Sequence, residues 1–305
     1  MTRRGATALS GVLPIDKPAG MTSHDVVGIV RRETGEGRVG HAGTLDPGAT
    51  GLLVVLLGPC TRLGTYLSGA SKRYRATIAF GSETDTDDAE GRVTRTALAP
   101  ELLFDPETAR ESLGRLLGDS LQLPPAYSAI KVDGKVAHRE ARAGRPIDLS
   151  PRQITVHEVD LLATDATACT WDVTLRVSKG TYVRALARDL GRACGSAAHL
   201  RALRRTGSGR LTLKDAHSLE DVREAAAQGR ITSLFADEVA ALGLPQVHES
   251  ADAVADGAAL ARPSGLKVEE GAAVAVMAGE RLAGVYRVHE CSLVPEVVLP
   301  ARGDA

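Results

Sequence analysis

Apolar positions along residues 1–245 follow two different periods. Val26, Val27 and Val30 recur at helical spacing behind a turn at 17–20, which predicts a helix with Ser23 as its N-cap. Apolar runs that are uninterrupted or alternate, and further helical spacings, predict strands at 11–16, 52–57, 74–80, 154–162 and 170–177 and helices at 106–117 and 182–193. Strands and helices without a regular strand–helix–strand rhythm favour an α+β fold with a mixed sheet.

The pattern changes after Pro245. Short segments of small apolar residues, separated by Gly and Pro, predict strands at 272–277, 282–288 and 296–299. We therefore predict two domains, residues 1–245 and a small β domain of residues 246–305. This second part carries five Lys/Arg against nine Asp/Glu, so we expect it to bind a polyanion weakly and its removal to leave the chemistry measurable.

Composition excludes several classes of protein. At 305 residues and 43% apolar, the chain is long and apolar enough to bury a sizeable core, which argues against a disordered chain. The longest apolar run is far shorter than the roughly 20 residues of a membrane helix. Residues 1–10 contain arginines but no apolar stretch behind them, so no export signal is indicated. These features predict a cytoplasmic protein without a membrane partner.

The sequence contains no pattern typical of a cofactor site. Four cysteines are scattered without a C-x-x-C pair or a Cys/His cluster, so we expect them to be reduced and buried and predict neither zinc nor disulfides. No phosphate-binding P-loop occurs, and the glycines at 35–40 follow a helix rather than a strand. We therefore predict no metal and no cofactor.

Charge is clustered even though the net charge is only −1. Residues 179–210 contain eight Lys/Arg and one acid, and smaller basic clusters lie at 72–75 and 131–145. Basic stripes on a neutral chain are typical of proteins that bind nucleic acid, although solvated helix faces have the same composition. Within the acidic run at 83–90, residues 85–88 resemble the start of a calcium loop, but Glu90 stands where the sharp turn needs a glycine, so a solvated loop is predicted.

Two features suggest where chemistry takes place. The segment 40–53 has four glycines in fourteen residues and leads into an apolar strand, so Asp46 on this loop can be aimed at a ligand. An ordinary turn residue is the alternative for Asp46, and a structural histidine is the alternative for His41. Tyr74 and Tyr182 lie among cations, a combination that stacks on bases and holds phosphates, although both could be core tyrosines.

Several motifs together resemble one family. They are Lys17-Pro18-x-Gly20-x-Thr22-Ser23, the G-T-L-D-P core of segment 40–53, Lys72-Arg73-Tyr74, Thr84-Asp85-Thr86, residues 178–184 and Leu203-Arg204-Arg205-Thr206. Their order and spacing resemble the bacterial tRNA pseudouridine-55 synthase (TruB) family over residues 11–206. The resemblance implies a pseudouridine synthase catalytic domain at 1–245 with mixed-sheet α+β architecture. By position and β character, 246–305 resembles a small PUA-like RNA-binding domain.

The resemblance also implies a reaction and its residues. Family members isomerise uridine 55 in the T-loop of tRNA, so the expected partner is the T-arm of tRNA, bound by a monomer without cofactor or metal. Asp46 corresponds to the nucleophile, and Arg184 pairs with it. Tyr74 stacks on the flipped base, and His41 helps fill the vacated stack. Further substrate-binding positions are Tyr182, Leu203, Lys17, Lys179, Arg204 and Arg205.

Two alternatives remain open from sequence. One is a related synthase that acts on another RNA under the guidance of partner proteins, which the self-contained motif pattern disfavours. The other is a non-catalytic tRNA-binding or tRNA-folding module. The presence of Asp46, Tyr74 and Arg184 argues against a loss of catalysis.

Overall fold

A computed structural model describes residues 9–254 and 256–300 of the chain. The prediction that residues 1–10 hold no export signal concerns a segment of which residues 1–8 lie outside the described residues. The helices are α1 (Ser23–Thr34), α2 (Gly64–Gly69), α3 (Pro106–Gly114), α4 (Ala137–Arg142), α5 (Val183–Ala193), α6 (Leu219–Ala227), α7 (Glu238–Leu242) and α8 (Ala251–Val254). The strands are β1 (Gly11–Lys17), β2 (Val39–His41), β3 (Thr50–Leu57), β4 (Lys72–Phe80), β5 (Ser82–Thr84), β6 (Val93–Thr96), β7 (Gly118–Gln122), β8 (Lys131–Val132), β9 (Lys135–Val136), β10 (Arg152–Asp165), β11 (Thr170–Val177), β12 (Ala198–Ser208), β13 (Leu211–Thr212), β14 (Gln246–Glu249), β15 (Leu260–Ala261), β16 (Ala273–Ala278), β17 (Arg281–His289) and β18 (Ser292–Val298).

Helix α1 begins one residue earlier than its sequence pattern predicts. Thr22 is the N-cap, because its hydroxyl accepts from the amide of Asp25 while the Asp25 carboxylate accepts from the amide of Thr22. Ser23, the predicted N-cap, is the first helical residue, so that assignment is wrong. The three valines of the apolar stripe are buried, as predicted.

The chain divides into two compact units. One comprises the described residues up to Pro47, Gly51–Gly69 and the residues from Gly207 onward. In it, β1 pairs antiparallel with β3, with Gly11 opposite Leu57, and all residues of β3 except Thr50 are buried. Strand β2 also pairs antiparallel with β3. The predicted buried strand at 52–57 is confirmed.

The strands predicted after Pro245 are confirmed and form a five-stranded sheet in this same unit. Its order is β14-β16-β17-β18-β15, with β14 parallel to β16 and the other neighbours antiparallel. Met277 and Val285 pack into the core cluster that also contains Val54 and Leu56 of β3. The compact units therefore do not divide at Pro245, and a domain boundary there stays a prediction.

The second unit comprises Gly48–Thr50 and Ala70–Thr206. Its sheet has the order β12-β4-β11-β10-β7, with antiparallel pairing from β4 through β7. The fully buried Trp171 lies against Phe80 at 4.6 Å between ring centroids and donates its indole N–H to the carbonyl of Leu103. Helix α3 packs on β10. The α+β class with mixed strand pairing is confirmed.

Within the described residues, no helix combines the length and the apolar character that crossing a membrane requires. All four cysteines lie in the described part of the chain, and none forms a disulfide bond. Cys60 is buried, Cys169 and Cys194 are half-buried, and Cys291 is exposed. The expectation that all four are buried is therefore wrong.

Candidate active site

The loop that carries Asp46 is anchored at the residue before it. The hydroxyl of Ser23, which is 2% exposed, accepts from the amide of Leu45 at 2.8 Å and donates to the carbonyl of Leu45 at 3.1 Å. One side chain at the start of α1 therefore satisfies both backbone polar groups of Leu45 in a buried position. This arrangement fixes the direction in which the chain enters half-buried Asp46.

The residue after Asp46 is anchored as well. The carbonyl of Pro47 accepts from the amide of Gly20 at 3.0 Å and from Nζ of Lys17 at 3.2 Å. Nζ of Lys17 also donates to the carbonyls of Pro18 and Met21 at 2.9 and 2.7 Å, and the residue is completely buried. Lys17 has no exposed surface in this structure, so the predicted contact with substrate stays a prediction. Its hydrogen bonds hold the loop.

Residues Gly48–Thr50 of the loop belong to the second unit and contact other residues of that unit. Nη1 of Arg204 donates to the hydroxyl of Thr50 at 3.4 Å. The carboxylate of Glu90 lies so close to Gly48 that a Cβ there would be 2.8 Å from Oε1. A larger residue two positions after Asp46 would require the exposed side chain of Glu90 to move. His41 lies on β2 opposite Val55 and is half-buried.

Tyr74 lies on β4 opposite Leu175 of β11 and is 9% exposed. At the start of the same strand, Lys72 is buried near Arg205 and Lys179. Burial, followed by the repulsion of these two cations, lowers the pKa of Lys72 to about 8. Lys72, Arg205 and Lys179 therefore place positive charge at the first residue of β4, two positions before Tyr74.

Arg184, in the first turn of α5, is buried and held in one orientation. Its Nη1 donates to the carbonyl of Thr86 at 2.7 Å, and its Nη2 donates to the carbonyl of Tyr127 at 3.0 Å. Nη1 also lies 3.6 Å from a carboxylate oxygen of Asp88. Two carbonyls and a carboxylate thus compensate a guanidinium that is only 5% exposed.

Helix α5 presents three arginines, four residues apart, to the acidic run at 83–90. Arg188 binds Asp87 at 2.7 Å, and Arg192 binds Glu83 at 2.5 Å, continuing the row begun by Arg184 and Asp88. Glu83 and Asp87 are buried, so the expectation of a solvated acidic loop is wrong. Because these three arginines pair with protein carboxylates, the positive charge of residues 179–210 is partly neutralised and does not form one continuous basic stripe.

The remaining predicted cations differ in exposure. Lys179 is exposed, Arg204 is half-buried, and Arg205 is only 1% exposed. Substrate contact by these three cations stays a prediction. Leu203 is half-buried on β12. A group of exposed cations lies on the β8–β9 hairpin, α4 and the residues just after it: Lys131, Lys135, Arg139, Arg142 and Arg145.

Three positioning residues were not identified from sequence. The sequence pattern predicts Ser23 as a helix cap and places Asp88 in a solvated loop. Gln122, which is 3% exposed, binds the backbone of Tyr182 with both ends of its amide. A polar side chain at the buried end of an otherwise exposed strand was the only available signal for Gln122. Among the described residues, no group of three or more His, Cys, Asp or Glu could hold a metal ion.

Two family models match consecutive parts of the chain. Residues 31–183 match the N-terminal domain of the TruB family of pseudouridylate synthases, and residues 184–238 match the tRNA pseudouridylate synthase B C-terminal domain. The tRNA pseudouridine synthase B of Corynebacterium aurimucosum is 45% identical over 292 residues, which cover 91% of this chain and 95% of the relative. The protein of the same name from Mycobacterium tuberculosis is 48% identical over 216 residues, 70% of this chain and 72% of the relative.

Solved structures agree in fold. A chain from the crystal structure of a Cbf5-Nop10-Gar1 complex superposes with a TM-score of 0.74 at 26% identity, covering 95% of this chain and 85% of that one. A chain from an H/ACA RNP bound to a substrate RNA containing 2'-deoxyuridine has a TM-score of 0.73 at 24% identity, over 96% and 86%.

The fold and the family matches define the class of the enzyme as a pseudouridylate synthase, which is an isomerase. More narrowly, the chain belongs to the TruB family.

Proposed function

We propose that this enzyme isomerises uridine 55 in the T-loop of tRNA, with Asp46 as the nucleophile. The relatives that cover most of the chain are named tRNA pseudouridine synthase B, which supports tRNA as the substrate. The motifs around Asp46, Tyr74 and Arg184 support the T-loop uridine, because they resemble a family with that specificity.

The observation that carries the role of Asp46 is the anchoring of its two neighbours. Four hydrogen bonds hold the polar groups of Leu45 and Pro47, all from residues of the turn between β1 and α1 or adjacent to it. A nucleophile must be held close to its target geometry before the reaction, since errors of about 1 Å can cost about 100-fold in rate. An ordinary turn aspartate needs no such support.

The reaction rearranges one nucleotide. The bond between N1 and C1′ breaks, the base turns, C5 bonds to C1′, the hydrogen on C5 leaves as a proton and N1 gains a proton. A carboxylate nucleophile serves whether it attacks the sugar or the base. Because all heavy atoms of the uridine are kept, the proposed reaction consumes no co-substrate and requires neither cofactor nor metal.

The target uridine must leave its stack before Asp46 can reach it, at a cost of a few kcal/mol. We assign stacking on the flipped base to Tyr74, filling of the vacated stack to His41, and further substrate contacts to Tyr182 and Leu203. Arg184 pairs with Asp46 in this proposal and fixes the direction of its carboxylate. The fixed guanidinium of Arg184 supports that role, since its orientation is set by Thr86 and Tyr127.

Binding of the T-arm is assigned to exposed cations. Lys179, the half-buried Arg204 and the basic residues at 131–145 provide positive charge for phosphates. Lys17 and Arg205 take positioning roles in this proposal, because they are buried. We further propose that the enzyme works as a monomer in the cytoplasm.

The test is pseudouridine mapping on an unmodified tRNA transcript incubated with the purified protein alone. We expect one new pseudouridine, at position 55, and none in a transcript with cytidine there. A T-arm hairpin labelled with tritium at C5 should release tritium in the presence of EDTA. Modification at another position, a need for additional proteins or guide RNA, or restoration of hairpin activity by magnesium would each contradict part of the proposal.

A further inference from the structure

The side-chain amide of Gln122 binds both backbone polar groups of Tyr182. Its Oε1 accepts from the amide of Tyr182 at 2.9 Å, and its Nε2 donates to the carbonyl of Tyr182 at 3.1 Å. Gln122 is the last residue of β7 and is 3% exposed. The amide therefore makes the pair of bonds that a neighbouring strand would make, in a buried position where such bonds are costly to lose.

Tyr182 is a position at which the backbone needs this support. It is the N-cap of α5, with extended dihedrals and no side-chain cap, and it follows Gly180, whose φ is +79°. Helix N-termini leave amide groups without intrahelical partners, and a glycine in the left-handed region permits the chain to turn freely. Gln122 therefore holds the backbone of Tyr182 in place at the start of α5.

The residues that follow Gln122 bind the same helix at two further points. The carbonyl of Leu123 accepts from Nη2 of Arg188 at 2.9 Å, and the carbonyl of Tyr127 accepts from Nη2 of Arg184 at 3.0 Å. Residues 122–127 thus contact the cap, the first turn and the second turn of α5. Of these contacts, only the one from Gln122 uses a side chain, so it is the one that substitution can remove.

We infer that Gln122 is a positioning residue for the isomerisation, acting through Tyr182 and Arg184 on the bound uridine. This inference rests on the proposed function, which assigns Tyr182 to substrate contact and Arg184 to Asp46. Gln122 touches neither substrate nor reacting atoms in this scheme. Its loss alters the position of the groups that do.

The first test is Gln122→Met, which keeps length and removes both hydrogen bonds. We expect the single-turnover rate constant at saturating enzyme to fall by about 10- to 100-fold, since a small displacement of catalytic groups is costly. The Kd for tRNA should stay within about threefold, because the exposed cations are unchanged. Gln153→Met, on the adjoining strand β10 and exposed, is the matched control and should retain the wild-type rate constant.

The second test is Gln122→Glu, which retains an acceptor for the amide of Tyr182 but faces its carbonyl with a carboxylate. Protonation of this buried carboxyl restores a donor, so the rate of the variant relative to wild type should rise as the pH falls from 8 to 6. If Gln122 serves fold stability alone, acid should raise the melting temperature of the variant and leave the single-turnover rate constant of the folded enzyme unchanged relative to wild type.

The inference is overturned if Gln122→Met keeps the wild-type rate constant, or if its loss of rate is matched by the unfolded fraction seen in thermal melting. It is also overturned if Gln122→Glu shows the same pH profile as wild type. All rates are measured at the uridine that the wild-type enzyme modifies. Absence of wild-type activity at position 55 contradicts the proposed function, whereas unaltered activity in the variants contradicts only the role of Gln122.

Discussion

The hydroxyl of Ser23 makes hydrogen bonds to both backbone groups of Leu45, at 2.8 and 3.1 Å, and Leu45 directly precedes Asp46. This relationship joins the first turn of α1 to the loop that carries the proposed nucleophile. Because Ser23 is in the first turn of α1, which is capped by Thr22, the helix provides a rigid base for the loop. The geometry of Asp46 therefore depends on a residue 23 positions earlier in the chain.

Ser23→Ala tests this dependence. The substitution leaves two buried polar groups of Leu45 without their partner, so we expect a loss of about 1–3 kcal/mol in the free energy of unfolding. We also expect the single-turnover rate constant to fall by about tenfold or more, because Asp46 loses its fixed direction. Ser233→Ala, at an exposed serine, is the control and should change neither quantity. A wild-type rate constant in folded Ser23→Ala would contradict the positioning role.

Asp46→Asn tests the nucleophile itself. The amide keeps the shape of the carboxylate but cannot attack, so isomerisation should be abolished while the Kd for tRNA stays within about tenfold. The measurement is tritium release from tRNA labelled at C5 of uridine, together with a filter-binding assay. Asp252→Asn, at an exposed position on α8, should retain full activity. Turnover near wild type in Asp46→Asn would rule out the assignment.

The ion pairs of Glu83 should make the free energy of unfolding depend on pH in the acid range. Arg192 donates to its two oxygens at 3.0 and 2.5 Å, and this hydrogen bonding is the main reason that its pKa lies below the ordinary 4.5. A carboxyl with a lowered pKa in the folded state stabilises the fold above its unfolded pKa. That contribution is lost as the pH falls through the folded pKa.

Glu83→Gln should therefore lower the melting temperature at pH 7, and the difference from wild type should shrink as the pH falls below about 4.5. The loss at pH 7 is expected to be on the order of 1–2 kcal/mol, since both arginine partners are about half exposed and so partly hydrated. The control is Glu280→Gln at an exposed position. A difference that stays constant from pH 7 to pH 3 would contradict this account.

The exposed basic hairpin should contribute to the salt dependence of tRNA binding. Lys131→Ala combined with Lys135→Ala removes two exposed charges, so the slope of log K against log salt should become shallower by about 1–2. The rate constant at saturation should change little. Arg223→Ala on α6 serves as the control, because it removes a single cation that already pairs with Glu220. An unchanged slope in the double variant would place the RNA elsewhere.

We expect the C-terminal sheet to be needed for the stability of the fold, although its few basic residues predict only a small contribution to RNA binding. Met277 and Val285 share a core with Val54 and Leu56, so truncation after Pro245 uncovers apolar side chains worth roughly 1.5–3 kcal/mol each. We expect the truncated chain to melt at a much lower temperature or to aggregate. The measurement is thermal unfolding followed by circular dichroism.

A point substitution tests the contribution of the shared core without deleting the C-terminal sheet. Met277→Ala should cost about 2–5 kcal/mol in urea unfolding, because it leaves a cavity in the shared core. Val294→Ala, at an exposed position on β18, should cost less than about 0.5 kcal/mol. A truncated chain with the melting temperature of the full chain would show that the shared core is dispensable.

Local patterns determined much of this molecule. The valine stripe of α1, the apolar run of β3 and the alternation of β4 and β11 each specify an element through near neighbours, so their types were predictable and their bounds came within a few residues. The family was also evident from sequence, because several long motifs occur in the order and spacing that the family shows. The proposed roles of Asp46, Tyr74 and Arg184 come from the same motifs.

Only the tertiary structure decided which charges face solvent and which residues hold the site. Arg188 lies 101 positions from Asp87, Gln122 lies 60 from Tyr182, and Ser23 lies 22 from Leu45. A charge is neutralised by what folds against it, so residues 179–210 looked like an RNA surface although half of their cations are buried or paired. For the same reason, acidic residues at 83–90 pair with the arginines of α5, and Lys17 supports the loop. The cost of burying a polar group depends on its partners, and these partners are distant in sequence.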